Sequence, residues 1–414
     1  MHHNLKFFFL LILLLSGCLR YEADKAINKN NAIDCKLSAT IEGKFIDLPN
    51  PIYNDSLSHY YDILNIKLDS EKAINLRNLK IKNILVFGKF LTYINNNGNI
   101  FLFNKDNINE NDYIWEVKLD LKNQPLNEAE FAYNSSDIFI LVNRRYLYSL
   151  NIDNGNINWK YDYKSLSESH LLLHDDSIYL SSIDGTLTDI DANKGIINWI
   201  YNGFGSVSDD RIIRKNERIN LAIKCNILIY TPYNGGTHAI DPRKGNLLWN
   251  IDFTDYIKDK NKDKNLKDIF DIKPYIFDAN GIKKVIIGSS NGSFLCVTLK
   301  GELEWINDFG SKTKPFFINN NIFVFSKDEI KIFDINKQNN YHNLWKIKFK
   351  NLQSNSYNGI KEGFIVNNEI LLITKNNEFL KFNPYAKDDE LVINYENHDN
   401  LNGYHIAMGN IYIY

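Results

Sequence analysis

Through the middle of the chain, short apolar runs alternate with polar turns in one recurring phrase. It reads LYSLNIDNGNINW up to Trp159, LTDIDANKGIINW up to Trp199 and THAIDPRKGNLLW up to Trp249, with a worn copy, FLCVTLKGELEW, ending at Trp305. Over residues 147–152 apolar and polar side chains alternate, as a strand with one buried face requires. Asp153-Asn154-Gly155 then reverses the chain, glycine supplying the positive φ of a tight turn. Ile157 and Trp159 lie two apart, so they are expected to share a face of the returning strand. From there the Trp can cover a neighbouring unit that could not bury its own surface alone. Gly155, Gly195, Gly245 and Gly301 each stand four residues before their Trp.

All six Trp belong to this series: Trp115, Trp159, Trp199, Trp249, Trp305 and Trp345, at spacings that average 46 residues. A period near 46 with strand patterning predicts an all-β propeller of four-stranded antiparallel blades. The first clear blade runs from Ile84 to Trp115, turning at Asn96-Asn97-Gly98-Asn99. A seventh unit, Gly363 to Ile393, keeps the strand–turn–strand pattern with Val392 in the Trp position. The last β run, 404–414, has no partner downstream, and a strand at about 37–47 is expected to complete it, closing the ring with the two termini. Residues 36–414 hold about eight periods of 46, so eight blades are expected, with seven as the alternative.

Two stretches break the even spacing: Ser206 to Asn220 and Asp255 to Asp271. Both follow a Trp strand, so both are expected on one rim. Mixed-charge runs are commonly solvated loops, yet loops on a rigid scaffold are also where binding resides.

At the N-terminus, Lys6 precedes nine apolar residues, Phe7 to Leu15, a run too short to span a bilayer but of signal-peptide size. Leu15-Ser16-Gly17-Cys18 has the form of a bacterial lipobox, which makes 1–17 a signal peptide and Cys18 the lipidated first residue. Leu19 in place of Asp favours the outer membrane over inner-membrane retention. Residues 18–35 read as the lipidated Cys and a flexible tether, and 36–414 as the propeller. Three further Cys remain, Cys35, Cys225 and Cys296, so an oxidising compartment leaves one thiol over. Cys225 and Cys296 lie in strand-like runs, as small buried hydrophobes or, as a second reading, as a disulfide pair.

Composition adds little beyond this frame. The 414 residues carry a net charge of -2, which gives no case for a nucleic-acid surface. No HExxH, GxSxG, Walker loop or CxxC occurs. His170 and His174 are expected on one face of a strand without a third ligand, so no metal is expected. Asp153, Asp191 and Asp241 recur at hairpin positions, where they stabilise the turn rather than bind Ca²⁺.

The phrase LYSLNIDNGNINW resembles the repeat of the PQQ-type propellers. Quinoprotein dehydrogenases of that group are much longer and carry adjacent cysteines by the cofactor, which this chain lacks. The lipobox and length are similar instead to the BamB family, lipoproteins of the outer-membrane β-barrel assembly (BAM) machinery. That resemblance implies a non-catalytic, cofactor-free scaffold, lipid-anchored on the periplasmic face of the outer membrane. It implies the periplasmic POTRA domains of BamA as partner, with other BAM subunits and, more weakly, unfolded outer-membrane proteins. It also implies partner-binding residues. Ile213 and Arg214 match a Leu-Arg-Gly-like segment with Lys215 in place of Gly, and Asp268 and Asp271 stand for an acidic pair before Pro274. A periplasmic binding propeller for another envelope partner or polymer and a PQQ-dependent dehydrogenase remain as alternatives.

Overall fold

The computed structural model describes residues 59–62, 73–75, 81–105, 112–121, 124–203, 221–232, 236–252, 274–279, 281–288, 293–308, 316–318, 321–325, 329–335, 345–350, 360–366, 369–374, 378–382, 394–397, 404–407 and 410–413. Every regular element among them is a strand, and the strands fall into eight sheets. Six sheets are simple antiparallel meanders of four consecutive strands. They lie within 81–118, 129–162, 172–202, 222–252, 275–308 and 360–397.

Burial follows strand order within a sheet. The second strand of the 129–162 sheet, Asp137–Val142, is buried at every position. Its run of Ile, Phe, Ile, Leu and Val is that of a strand covered on both faces. The fourth strand, Ile157–Asp162, is largely exposed. Much of the core lies between sheets, as most apolar clusters draw on two neighbours. Trp115 and Leu102 pack with Ile138 and Tyr148, Phe139 and Leu141 with Ile178 and Leu180, and Val285 and Ile287 with Ile229 and Trp249. The first strands lie side by side: Ile81–Phe87 neighbours both Ala129–Tyr133 and Tyr404–Ala407.

Four of the six Trp are seen to bridge sheets in this way, and the partner of each is the glycine turn of the next sheet. Trp115 donates its indole N–H to the Ile152 carbonyl at 2.7 Å, Trp159 to Ala192 at 2.9 Å, Trp199 to Pro242 at 3.0 Å and Trp249 to Leu299 at 2.7 Å. The rings rest on Gly155, Gly195, Gly245 and Gly301. A Cβ at Gly195 would stand 2.5 Å from the Trp159 ring, and one at Gly245 2.6 Å from Trp199. These glycines therefore do two things: they take a positive φ and leave room for the ring.

Several sequence expectations are corrected here. Ile157 and Trp159 do not share a buried face, since Ile157 is 44% exposed. A β-bulge at Asn158 is the cause: Ile157 pairs with Leu150 and Trp159 with Ser149, leaving one residue over. The same bulge recurs before Trp199, Trp249 and Trp305. It adds local twist and turns the indole toward the next sheet. The turn carboxylates are also out of register with one another. Asp191 and Asp241 each accept two backbone N–H groups of their turns, but in the first copy Asn151 does so and Asp153 is exposed. The cap stands four residues before the glycine, and Asp153 stands two before it. His174 ends the Leu172–His174 strand, whereas His170 precedes that strand and meets Glu130 at 3.0 Å.

The last strands are completed by a different segment from the one expected. Asn410–Ile413 pairs with Ala73–Asn75, in parallel, and the 37–47 run lies outside the described residues. A further N-terminal strand, His59–Asp62, runs parallel to Trp345–Lys350 and makes the 316–350 sheet five-stranded rather than four. Both additions cover an outer edge that would otherwise leave backbone groups unpaired.

The glycine cradle gives a direct expectation. Gly195→Ala should cost about 3 kcal/mol or more, because left-handed strain adds to a clash with an indole that cannot withdraw. Gly88→Ala, at φ 50° with nothing within 4 Å of the added methyl, should cost only about 1 kcal/mol. Urea unfolding of the two variants measures the difference.

Candidate docking rim

In a four-stranded meander, the turn between the second and third strands and the exit from the fourth lie at the same end. The 143–145 and 182–185 turns therefore share a rim with the 163–171 crossing. The two insertions leave from that same rim. The first precedes the first strand of the 222–252 sheet, Ala222–Lys224, and the second follows its fourth, Leu247–Asp252. One sheet therefore carries both. The glycine turns that hold the Trp rings lie at the opposite rim.

The four residues singled out for partner binding, Ile213, Arg214, Asp268 and Asp271, lie outside the described residues. Cys18 does as well. The described part of the rim includes the 143–145 turn and the 163–171 crossing. Asn143 and Arg144 form a two-residue turn with φ 50° and 59°. The Asn143 side chain accepts from the Asn127 backbone N–H at 2.8 Å and donates to the Pro125 carbonyl at 2.9 Å. Arg144 donates to the Ser167 carbonyl at 2.6 Å, and Ser167 N–H donates back to the Arg144 carbonyl at 2.7 Å. Next to it, Arg145 forks onto Asp162 at 2.8 and 3.3 Å. That fork holds the Asp162 carboxyl below its usual range.

The 163–171 crossing is laid down on the next sheet. Ile183 N–H donates to the Leu166 carbonyl, Glu168 N–H to Ser181, and the Tyr163 hydroxyl to the Leu180 carbonyl. This seals Glu168 inside, only 3% exposed, with one carboxyl oxygen lacking a hydrogen-bond partner. Burial raises its pKa to about 7; Arg144 opposes the rise and Asp184 adds to it. The Tyr230 hydroxyl is likewise buried and unpartnered, its acidity suppressed by burial. Beyond it, Tyr201 and His238 Nδ1 are 2.8 Å apart, and burial lowers the His238 pKa to about 4, so the ring is neutral at pH 7. Sequence reading missed this polar layer because Glu168, in SLSESH, looks like any loop carboxylate. Among the described residues no three His, Cys, Asp or Glu side chains are placed to hold a metal ion.

The Cys pair reading is corrected. Cys296 is a free, buried thiol, whereas Cys225 is disulfide-bonded, so the two are not joined. Cys225 also lies in a turn rather than a strand, at φ 53°.

Antiparallel four-stranded sheets joined through Trp-on-Gly contacts define an all-β propeller of PQQ-type repeats. The chain belongs to the family described as Outer membrane protein assembly factor BamB, whose model matches residues 106–346, more than half its length. Among solved structures it is similar to BamB from Moraxella catarrhalis, at 15% identity and TM-score 0.56, covering 85% of this chain and 93% of that one. It is also similar to the computationally designed Ika8 protein, at 12% identity and TM-score 0.53, covering 81% and 96%. The C-terminal WD40 domain of Sif2 matches at 11% identity and TM-score 0.53, covering 80% and 88%. At these identities the likenesses speak for the fold alone. No curated protein matches the sequence.

The buried carboxyl makes the rim sensitive to pH. A folded pKa raised from 4.5 to about 7 leaves folding most favourable below the unfolded value and penalises it as pH rises through 7. Relative to wild type, Glu168→Gln should therefore gain roughly 2 kcal/mol of stability on going from pH 5 to pH 8. Urea unfolding of both proteins at the two pH values checks this; an unchanged difference would count against a protonated Glu168.

Proposed function

We propose that this chain is a non-catalytic scaffold lipoprotein of the outer-membrane β-barrel assembly machinery. In this reading the eight sheets close into one eight-bladed ring, with Ala73–Asn75 joining the last strands. Cys18 carries the lipid that holds the protein on the periplasmic face of the outer membrane. The rim bearing the two insertions docks on the POTRA domains of BamA and leaves the opposite rim with the glycine turns.

The observation that carries this reading is the family match across 106–346, because the matched segment includes both insertions. The topology supports the docking site independently, since it attaches both insertions to one sheet at one rim. Within that site Ile213 is assigned apolar anchoring, Arg214 a charge-assisted contact, and Asp268 and Asp271 the complementary charge. The buried polar layer around Glu168 would keep the supporting crossings fixed, so that the loops are presented by a rigid base. Other BAM subunits and unfolded outer-membrane proteins are secondary partners in this proposal.

Affinity purification of the tagged lipoprotein from detergent-solubilised envelopes tests the reading. BamA should co-purify with wild type and fall by roughly tenfold or more with Arg214→Glu, as for a central interface residue worth about 2 kcal/mol. Retention of BamA by both proteins would sink the assigned site and keep the scaffold role. Absence of BamA from both would sink the role itself and favour a propeller that binds another envelope component.

A further inference from the structure

Cys225 is disulfide-bonded. It forms a two-residue turn with Asn226 between Ala222–Lys224 and Ile227–Tyr230, and both turn residues are left-handed, with φ 53° and 59°. Such a turn favours Asn, Asp and Gly, so Asn226 suits it while Cys225 gains nothing from the conformation itself. The sequence holds four cysteines, Cys18, Cys35, Cys225 and Cys296. Cys296 is free and fully buried in Ser293–Thr298, its thiol pushed up to about 12 by burial, so it is not the partner. Cys18 ends the lipobox, where the lipid occupies the sulfur.

By elimination we infer that Cys35 is the partner: a Cys35–Cys225 disulfide fastens the N-terminal tether to the 222–252 sheet. Setting Cys18 aside rests on the lipoprotein reading above; setting Cys296 aside does not. The two thiols lose two protons and two electrons to a disulfide donor, a protein disulfide or oxidised glutathione, which leaves as two thiols. Cys296 then becomes the odd thiol that three cysteines beyond Cys18 require.

The bond has a consequence for orientation. The Cys225–Asn226 turn joins the first and second strands, so it lies on the rim of glycine turns, opposite the rim from which the insertions leave. The stretch from Cys18 to Cys35 spans at most roughly 60 Å when fully extended. The disulfide therefore keeps the glycine-turn rim within that distance of the lipid and leaves the insertion rim free to meet a partner. Without it, the tether would first be fixed at the His59–Asp62 strand, and its reach would more than double.

Peptide mapping of the full-length protein isolated from envelopes decides the matter. The protein is denatured and alkylated without reductant, digested and analysed by mass spectrometry. The expected result is one linked peptide pair containing Cys35 and Cys225, about 2 Da below the sum of the two thiol peptides, with Cys296 alkylated. Reduction should release both peptides. Cys35→Ser should leave Cys225 open to alkylation, and Cys296→Ser should leave the linked pair intact. Alkylated Cys225 in the unreduced wild type, or Cys225 joined to Cys296, overturns the inference. If Cys18 carries lipid in such a sample, the lipoprotein reading stands while this one falls. A Cys18–Cys225 link would overturn both.

Discussion

The indole of a Trp on one sheet, seated on the glycine of the next sheet's turn, is the contact on which the rest of the fold depends. The contact is both apolar and directional. The ring covers backbone that only glycine leaves bare, and its N–H is satisfied by a carbonyl of the same turn. Trp115, Trp159, Trp199 and Trp249 repeat it with hydrogen bonds of 2.7–3.0 Å. A buried Trp contributes several kcal/mol through its area alone, and the hydrogen bond keeps its polar edge from opposing that gain. Because every contact spans two sheets, each sheet depends on its neighbour, as in other repeat architectures.

Rigid joints at one rim make the other rim available for recognition. The 163–171 crossing, on the rim from which the insertions leave, is held by Arg144, Ser167, Tyr163 and the backbone of the 182–185 turn, and does not contribute to the Trp seats. Loops there can change in length and charge without disturbing the contacts that hold the sheets together. The burial of Glu168 and Tyr230 with unsatisfied polar atoms costs stability. It is tolerated at the rim rather than between the Trp seats.

The repeat was legible in the sequence because its physics is local. Strand alternation, a turn capped by Asp or Asn, glycine and Trp are all contained in thirteen residues such as LYSLNIDNGNINW. What lay between residues far apart was less legible. The bulge at Asn158 is invisible in INW, since one unpaired residue shows only against Leu150 and Ser149 of the partner strand. The role of Gly195 read as a turn requirement, while its second task, seating Trp159, belongs to a neighbouring sheet. AIKCNILIY read as continuous strand because only Asn226 hints at a turn, and Cys225 beside it is unusual there. The parallel pairing of Ala73–Asn75 with Asn410–Ile413 joins opposite ends of the chain, and three residues carry no register signal. At the candidate site the sequence located both insertions and their common rim, while Ile213, Arg214, Asp268 and Asp271 stand on sequence resemblance.

The claim that each glycine is matched to the Trp of the preceding sheet is tested most directly by a double-mutant cycle at Trp199 and Gly245. Unfolding free energies would be measured for Trp199→Ala, Gly245→Ala and the double variant. If the indole is what the added methyl strikes, the cost of Gly245→Ala falls by roughly 2 kcal/mol once Trp199 is gone, leaving only the left-handed strain. An equal cost with and without Trp199 would mean that the glycine serves its own turn alone and that the sheets are joined by something else.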